Sequence, residues 1–169
     1  MLDGFCIFAS LIVTKIIKMW QLNLPVYKFN TKKAGDNLLI FDSLRKKFVK
    51  LTPEEWVRQN FIQFLILEKN FPAALIAIET QILINGMKKR CDAVIYDNYM
   101  NPYIIIEFKS PSVPITQVVF DQVAVYNFKL NVSYFILSNG HQHFFCKINC
   151  DKTGYEIENN IPNFKSLLS

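Results

Sequence analysis

The sequence predicts an α/β fold, with a central mixed β-sheet flanked by helices. Three observations predict it. Two segments, after Thr52 and after Thr116, place apolar residues at helical spacing. Several short runs, from Ala77 onward, alternate or are apolar throughout, as strands do. The order of these pieces is helix, three strands, helix, strand, strand, which suits a sheet of mixed direction.

From Trp20 to Val49 the chain reads as extended pieces and loops, with a strand at Leu38–Phe41 and solvated lysines at Lys46, Lys47 and Lys50. Thr52-Pro53-Glu54-Glu55 is a strong helix start. Thr52 can cap, Pro53 suits the first helical position, and both glutamates oppose the positive end of the dipole. Val57, Phe61, Phe64 and Leu65 follow on one side, and the helix should end near Asn70, ahead of Pro72. Ala77–Ile84 alternates as a strand, Asn85-Gly86 is a turn signal, and Arg90–Tyr96 is a second strand. After a loop from Asp97 to Pro102, Tyr103–Lys109 is a third strand, broken by Pro111 and Pro114. Thr116–Leu130 reads as a helix, Val132–Leu137 as a fourth strand, Ser138-Asn139-Gly140 as a turn, and Gln142–Ile148 as a fifth strand.

A chain of 169 residues with 51% hydrophobic residues can bury a core as one domain, without metal or disulfide staples. The expected domain runs from 19 to 169. Residues 1–18 form an apolar extension; Phe5–Val13 is too short to span a bilayer, and Asp3 stands where a signal peptide carries positive charge. Met19 is the expected true start. Cys6, Cys91, Cys146 and Cys150 form no CxxC pair, which points to a reducing, cytoplasmic setting. A net charge of +5 permits a polyanionic partner without requiring one.

The chemistry-bearing stretch is Arg90–Ser110, RCDAVIYDNYMNPYIIIEFKS. Treated as a symmetric hairpin, it sets Tyr96 against Tyr103, and counting back puts Asp92 directly opposite Glu107. Opposed residues share a face with Cβ atoms about 5 Å apart. Two carboxylates at that distance repel unless a cation lies between them. Lys109, two residues beyond Glu107, falls on the same face. Oxygen ligands suit Mg²⁺, and a neighbouring lysine suits phosphodiester hydrolysis. The alternative is an exposed edge salt bridge between Glu107 and Lys109, but Tyr103-Ile104-Ile105-Ile106 is apolar on both faces and so suggests a central strand.

The Asp92 … Glu107-x-Lys109 pattern resembles the PD-(D/E)XK nuclease signature of restriction-endonuclease-like folds. KKRCDAVIYD, IIIEFKSPS, FDQVAVYN and SNGHQHF are similar to successive blocks of the N-terminal nuclease domain of type I restriction enzyme R subunits. That resemblance implies a Mg²⁺-dependent DNA nuclease, with Mn²⁺ as a substitute. Asp92, Glu107 and the Phe108 carbonyl would hold the metal, and Lys109 would be the catalytic lysine. Gln122 and Tyr126 match a Gln-x-x-x-Tyr motif on the following helix; their bland reading is a surface glutamine and a core tyrosine. A glutamate from the first helix is also implied. Glu54 is the choice, with Arg58 on its face, and Glu55 is its competitor. Glu79 could join the site or lie on a solvated face. Implied partners are DNA and a helicase or other restriction or repair subunits, with a homodimer as an option and no membrane.

Cys91 stands where the signature's name has proline, and the chain has no room for a helicase motor. A competing function is a DNA-binding or complex-forming module that keeps the fold with little activity. His141, His143, Cys146 and Cys150 invite a zinc reading, but strand alternation sends the histidines one way and Cys146 the other. No GxxxxGK[ST] loop supports ATP use.

Overall fold

The computed structural model describes residues 20–84, 87–130, 132–151 and 153–168. The apolar start, Met19 and the Asn85-Gly86 turn lie outside them. Two sheets are present. A small antiparallel sheet holds β1 (Thr31–Ala34), β2 (Asn37–Asp42) and β3 (Lys47–Lys50). The large sheet has six strands in sequence order: β4 (Ile76–Ile84), β5 (Met87–Tyr96), β6 (Pro102–Phe108), β7 (Tyr134–Ser138), β8 (His143–Ile148) and β9 (Tyr155–Glu158). Only β6 and β7 pair in parallel, so this sheet is mixed, as expected.

The first helix, α1, spans Pro53–Leu67. Thr52 caps it, its hydroxyl accepting from Glu55 N at 3.1 Å. It ends before the expected Asn70, which sits at φ +57° and turns the chain toward β4. The second helix, α2, spans Gln117–Leu130 and supplies the crossover that a parallel β6–β7 pair requires. A last short helix, α3, covers Phe164–Leu167.

The core lies in layers on either face of the large sheet. Val57, Phe61, Ile62 and Leu65 of α1 pack on Ala93, Ile95, Ile104, Ile106 and Phe108. Phe120, Val123 and Ala124 of α2 pack with Cys91, Val94, Ile105, Phe135 and Cys146. Helix α1 also serves the small sheet, because Trp56 points the other way, onto Ile40 and Leu51. One helix is thus shared by both sheets, and its N-terminus falls at the seam between them.

The turn after β7 anchors the chain that precedes the small sheet. Asn23 N donates to Gly140 O at 2.8 Å, and Asn23 Nδ2 donates to His141 O at 2.8 Å. Gly140 has φ +86°, and a Cβ there would stand 2.5 Å from Leu22 Cδ2 and 3.0 Å from Val57 Cγ2. The backbone therefore favours glycine, and a Cβ there would also force the Leu22 side chain to shift. Gly140→Ala is expected to cost about 1–3 kcal/mol through strain and overpacking; thermal melts of the two proteins measure it.

His143, raised as a metal ligand, is built into the same region. Its Nδ1 lies 2.8 Å from Ser138 Oγ and its Nε2 lies 3.1 Å from Asn23 O, with the ring against Phe61. Burial holds its pKa below the ordinary value. Cys146 is buried in the layer under α2, and Cys150 is exposed, so the histidines and cysteines do not converge.

Candidate active site

The β5–β6 hairpin keeps the counted register where it matters. Ala93 pairs with Ile106, Val94 with Ile105 and Ile95 with Ile104, the register of the count; the paired ladder ends there, one step short of Asp92 and Glu107, and the charge of Glu107 acts on Asp92. One correction falls at the closed end. A bulge after Ile95 pairs Tyr96 with Pro102, not Tyr103, because the loop is pulled in by Asp97, whose Oδ1 accepts from Tyr99 N and Asn101 N at 2.8 Å.

Asp92 lies at a break in the sheet. The β4–β5 register is regular on both sides, at Ile78–Ala93 and Thr80–Cys91, but the intervening Glu79 and Asp92 drop out of the ladder. Glu79 takes φ +53°, a costly conformation for a residue with a side chain. Cys91 and Val94 both pack under α2, although a strict alternation would send them to opposite faces. The irregularity re-aims the Asp92 side chain along the sheet. Its Oδ2 accepts from Phe108 N at 2.8 Å, replacing a ladder bond. In an extended strand the N–H and C=O of one residue leave on the same edge, so the Phe108 carbonyl faces Asp92 as well.

Glu107 and Lys109 stand on the next strand, both half-buried. Lys109 Nζ donates to Glu107 Oε1 at 2.9 Å. The Lys109 backbone is fixed by its N–H, which donates to Ser138 O at 2.9 Å. Burial pulls the ammonium down, but the hydrogen bond and charge of Glu107, with Asp92 and Glu54 behind it, hold its pKa above the ordinary value. The Asp92 carboxyl is pushed up to about 6, first by burial and then by the charge of Glu107; the Phe108 N–H opposes this, and Glu54 adds to it. Asp92, Glu107, Glu54 and Lys109 therefore act on one another electrostatically.

The two helix glutamates differ in their partners. Glu54 is exposed on the first turn of α1 and, like Glu55, lines a cleft of about 480 Å³ together with Asp92, Phe108 and Glu79. Glu55 is engaged in a charge network: its Oε1 accepts from Arg45 Nη2 at 3.0 Å and from Gln59 Nε2 at 2.8 Å, and its Oε2 accepts from Arg58 Nε at 2.9 Å. Arg58, expected on the face of Glu54, belongs to this network instead and also reaches Asp42. Glu79 is held by Arg45 at 2.9 Å and Arg90 at 2.6 Å, so its carboxylate is already paired.

Asp42, 2% exposed, receives Leu44 N and Arg45 N at 2.9 and 3.0 Å besides the two guanidiniums. Burial pushes its pKa up, but the Arg45 N–H and the charges of Arg58 and Arg45 outweigh that and hold it low. Sequence reading missed the network. Its only local traces are the Asp42-x-x-Arg45 and Glu55-x-x-Arg58 spacings. Gln122 and Tyr126 fall on α2, and their side chains lie outside the described residues.

Among the described residues, no three histidine, cysteine, aspartate or glutamate side chains form a ready metal cage. Mg²⁺ does not need one. It is held through one or two carboxylates while keeping waters and taking up substrate phosphate oxygens. Two half-buried carboxylates that repel, with a backbone carbonyl beside them, fit that cation by donor chemistry. Among the described residues no helix is long and apolar enough to cross a membrane.

No curated protein matches the chain. One solved structure is similar, a fragment of a putative HsdR subunit of a type I restriction enzyme from Vibrio vulnificus YJ016, at 18% identity and TM-score 0.49. The likeness covers 69% of this chain and 25% of that one, so the chain spans about a quarter of the fragment's length. The model of a protein family, described as the type I restriction enzyme R protein N terminus (HSDR_N), matches residues 53–162. These run from the first residue of α1 through every strand of the large sheet, and the chain therefore belongs to that family.

Proposed function

We propose that the chain is a Mg²⁺-dependent nuclease domain that hydrolyses DNA phosphodiester bonds. The observation that carries this reading is the convergence of Asp92, Glu107 and Lys109 beside Glu54. Asp92 is raised to about 6 by burial and by Glu107, as expected where carboxylates are gathered for a cation.

Asp92, Glu107 and the Phe108 carbonyl are the groups to hold Mg²⁺, and Mn²⁺ could replace it. The ion would polarise the scissile phosphate and make an attacking water more acidic. Lys109 stays protonated, and its ammonium, held by Glu107 at 2.9 Å, offers positive charge where the phosphate gains negative charge. Asp92 spends one oxygen on the Phe108 N–H, which fixes the carboxylate and leaves its other oxygen for the cation. Glu54, from α1, adds a further carboxylate to the lining of the cleft. Assembly with other restriction subunits is the partner reading that family membership supports.

The test incubates the purified protein with linear, circular and single-stranded DNA in Mg²⁺, Mn²⁺ or EDTA, beside Asp92→Ala and Lys109→Ala. Cleavage is expected only with a divalent cation. Lys109→Ala is expected to lower its rate about 10²–10³-fold, the usual effect of removing one charge-stabilising donor. Cleavage untouched by both substitutions would sink the site. Salt-sensitive binding without cleavage would favour a DNA-binding module.

A further inference from the structure

The chain's positive charge is not spread evenly. Between Thr31 and Lys50 stand five lysines and one arginine against two aspartates, a net +4 of the chain's +5. Arg45 and Asp42 pair with each other, so the uncompensated charge belongs to lysines. These twenty residues are the small sheet, and Lys47, Phe48 and Lys50 of its β3 line the cleft that also holds Asp92 and Glu54.

The two faces of this sheet differ. Leu38, Ile40 and Val49 turn inward to Trp56. The pairing Lys32–Leu39–Lys50 and the neighbouring pair Phe41–Phe48 place five side chains on the opposite face. None of Leu39, Phe41 and Phe48 belongs to a described core cluster, and Phe48 is 36% exposed. The Phe41 and Phe48 rings meet edge to face at 5.2 Å, and Lys32 Nζ lies 4.0 Å from the centre of the Phe48 ring. Exposed aromatic rings framed by lysines are how sequence-tolerant sites hold one nucleic-acid strand, with bases on the rings and phosphates on the cations. A cation over an exposed ring is weakly held, so a phosphate can draw Lys32 away and uncover the ring for a base.

We infer that the outer face of the small sheet binds single-stranded DNA and leads it into the cleft. This rests on the nuclease reading for its ligand and extends it to a surface outside the catalytic groups. Lys47, Phe48 and Lys50 line the same cleft of about 480 Å³ as Asp92 and Glu54, so a strand held on the sheet lies beside those carboxylates. The cleft's own carboxylates repel phosphate, so the strand needs a basic wall nearby, and the lysines of β1 and β3 supply it.

The experiment measures binding of a fluorescent oligothymidylate, and of a labelled duplex of equal length, by anisotropy in EDTA. The whole chain is compared with Lys32→Ala/Lys50→Ala, with Phe48→Ala, with Phe48→Leu and with a control pair, Lys147→Ala/Lys165→Ala. The control removes the same charge from exposed sites on β8 and α3. Loss of Lys32 and Lys50 is expected to weaken single-strand binding at least tenfold and to lower the salt slope by about 1.4, or 0.7 for each phosphate contact. Phe48→Ala and Phe48→Leu are each expected to weaken single-strand binding about tenfold and duplex binding less than threefold. Phe48→Leu keeps apolar bulk against Phe41, so its effect reports the ring and not the fold.

Sheet variants that bind like the control pair would overturn the inference, as would a Phe48 effect equal on both DNAs. Sheet-dependent binding without cleavage would uphold it and refute the nuclease reading. Cleavage with sheet-independent binding would do the reverse.

Discussion

Asp92→Asn is expected to abolish metal-dependent cleavage, about 10³-fold or more, and yet to make the metal-depleted protein more stable at pH 7.5. Asparagine keeps an oxygen for the Phe108 N–H and removes the charge that burial and Glu107 oppose. The folded carboxyl keeps its proton to about pH 6, whereas the ordinary value is 3.8. A raised carboxylate favours the folded state when protonated. Its contribution is therefore fully present below about pH 4, is lost as pH rises toward 6, and stays lost above that. At 1.36 kcal/mol for each unit the ceiling is about 3 kcal/mol, and about 1–3 kcal/mol is expected. For a chain of this size that is several degrees of melting temperature. Melts in EDTA between pH 4 and 8 should fall through this window for the unsubstituted chain and run flatter for Asp92→Asn. Added Mg²⁺ should raise the first and not the second. A variant that melts at or below the parent at pH 7.5 in EDTA would refute this account of Asp92.

The second large effect is structural. Arg58→Ala is expected to cost about 3–5 kcal/mol, because it leaves the two carboxylates Asp42 and Glu55 with only one of the two cations they share, Arg45. Asp42 is 2% exposed and Arg58 5%, so water cannot make good the loss. Replacement by methionine should cost much the same, since the missing element is charge and not volume. Chemical denaturation gives the free energies. A loss below about 1 kcal/mol would mean that Arg45 alone satisfies Asp42 and Glu55. The network joins β2, α1 and, through Arg45 and Glu79, β4, so Arg58→Ala should also loosen the wall that carries Glu54.

What the sequence could disclose was local. The Asp92–Glu107 opposition needed only a hairpin and a count. The register behind that count is kept from Ile95 to Ala93, because the bulge at Tyr96 lies at the closed end of the ladder. The cap at Thr52 and the central position of β6 were legible for the same reason, since propensity and apolar runs act over a few residues. The strands β1, β3 and β9 were not foreseen. Lys47-Phe48-Val49-Lys50 reads as a solvated stretch until β2 pairs with it. Nor could propensity reveal the left-handed Glu79, whose carboxylate pairs with two arginines distant in sequence or on the next strand. The difference between Glu54 and Glu55 likewise rests on Arg45 and Arg58, which pair with the second, although both glutamates line the cleft.

The hairpin has a kinetic meaning too. Asp92 and Phe108 are sixteen residues apart, and Asp97 closes the loop between them with its own hydrogen bonds. Hairpins of this kind close in about 1–10 μs. Helix α1 must dock from further away to bring Glu54, and the parallel β6–β7 pairing must wait for α2 to cross over. Contact order thus favours an assembly in which the opposed carboxylates meet first and the rest of the cleft closes around them. The same repulsion that a cation would relieve in the finished protein then opposes one of the earliest steps of folding, so on the proposed metal reading protons or divalent ions would act on the rate of assembly as well as on the stability of its product.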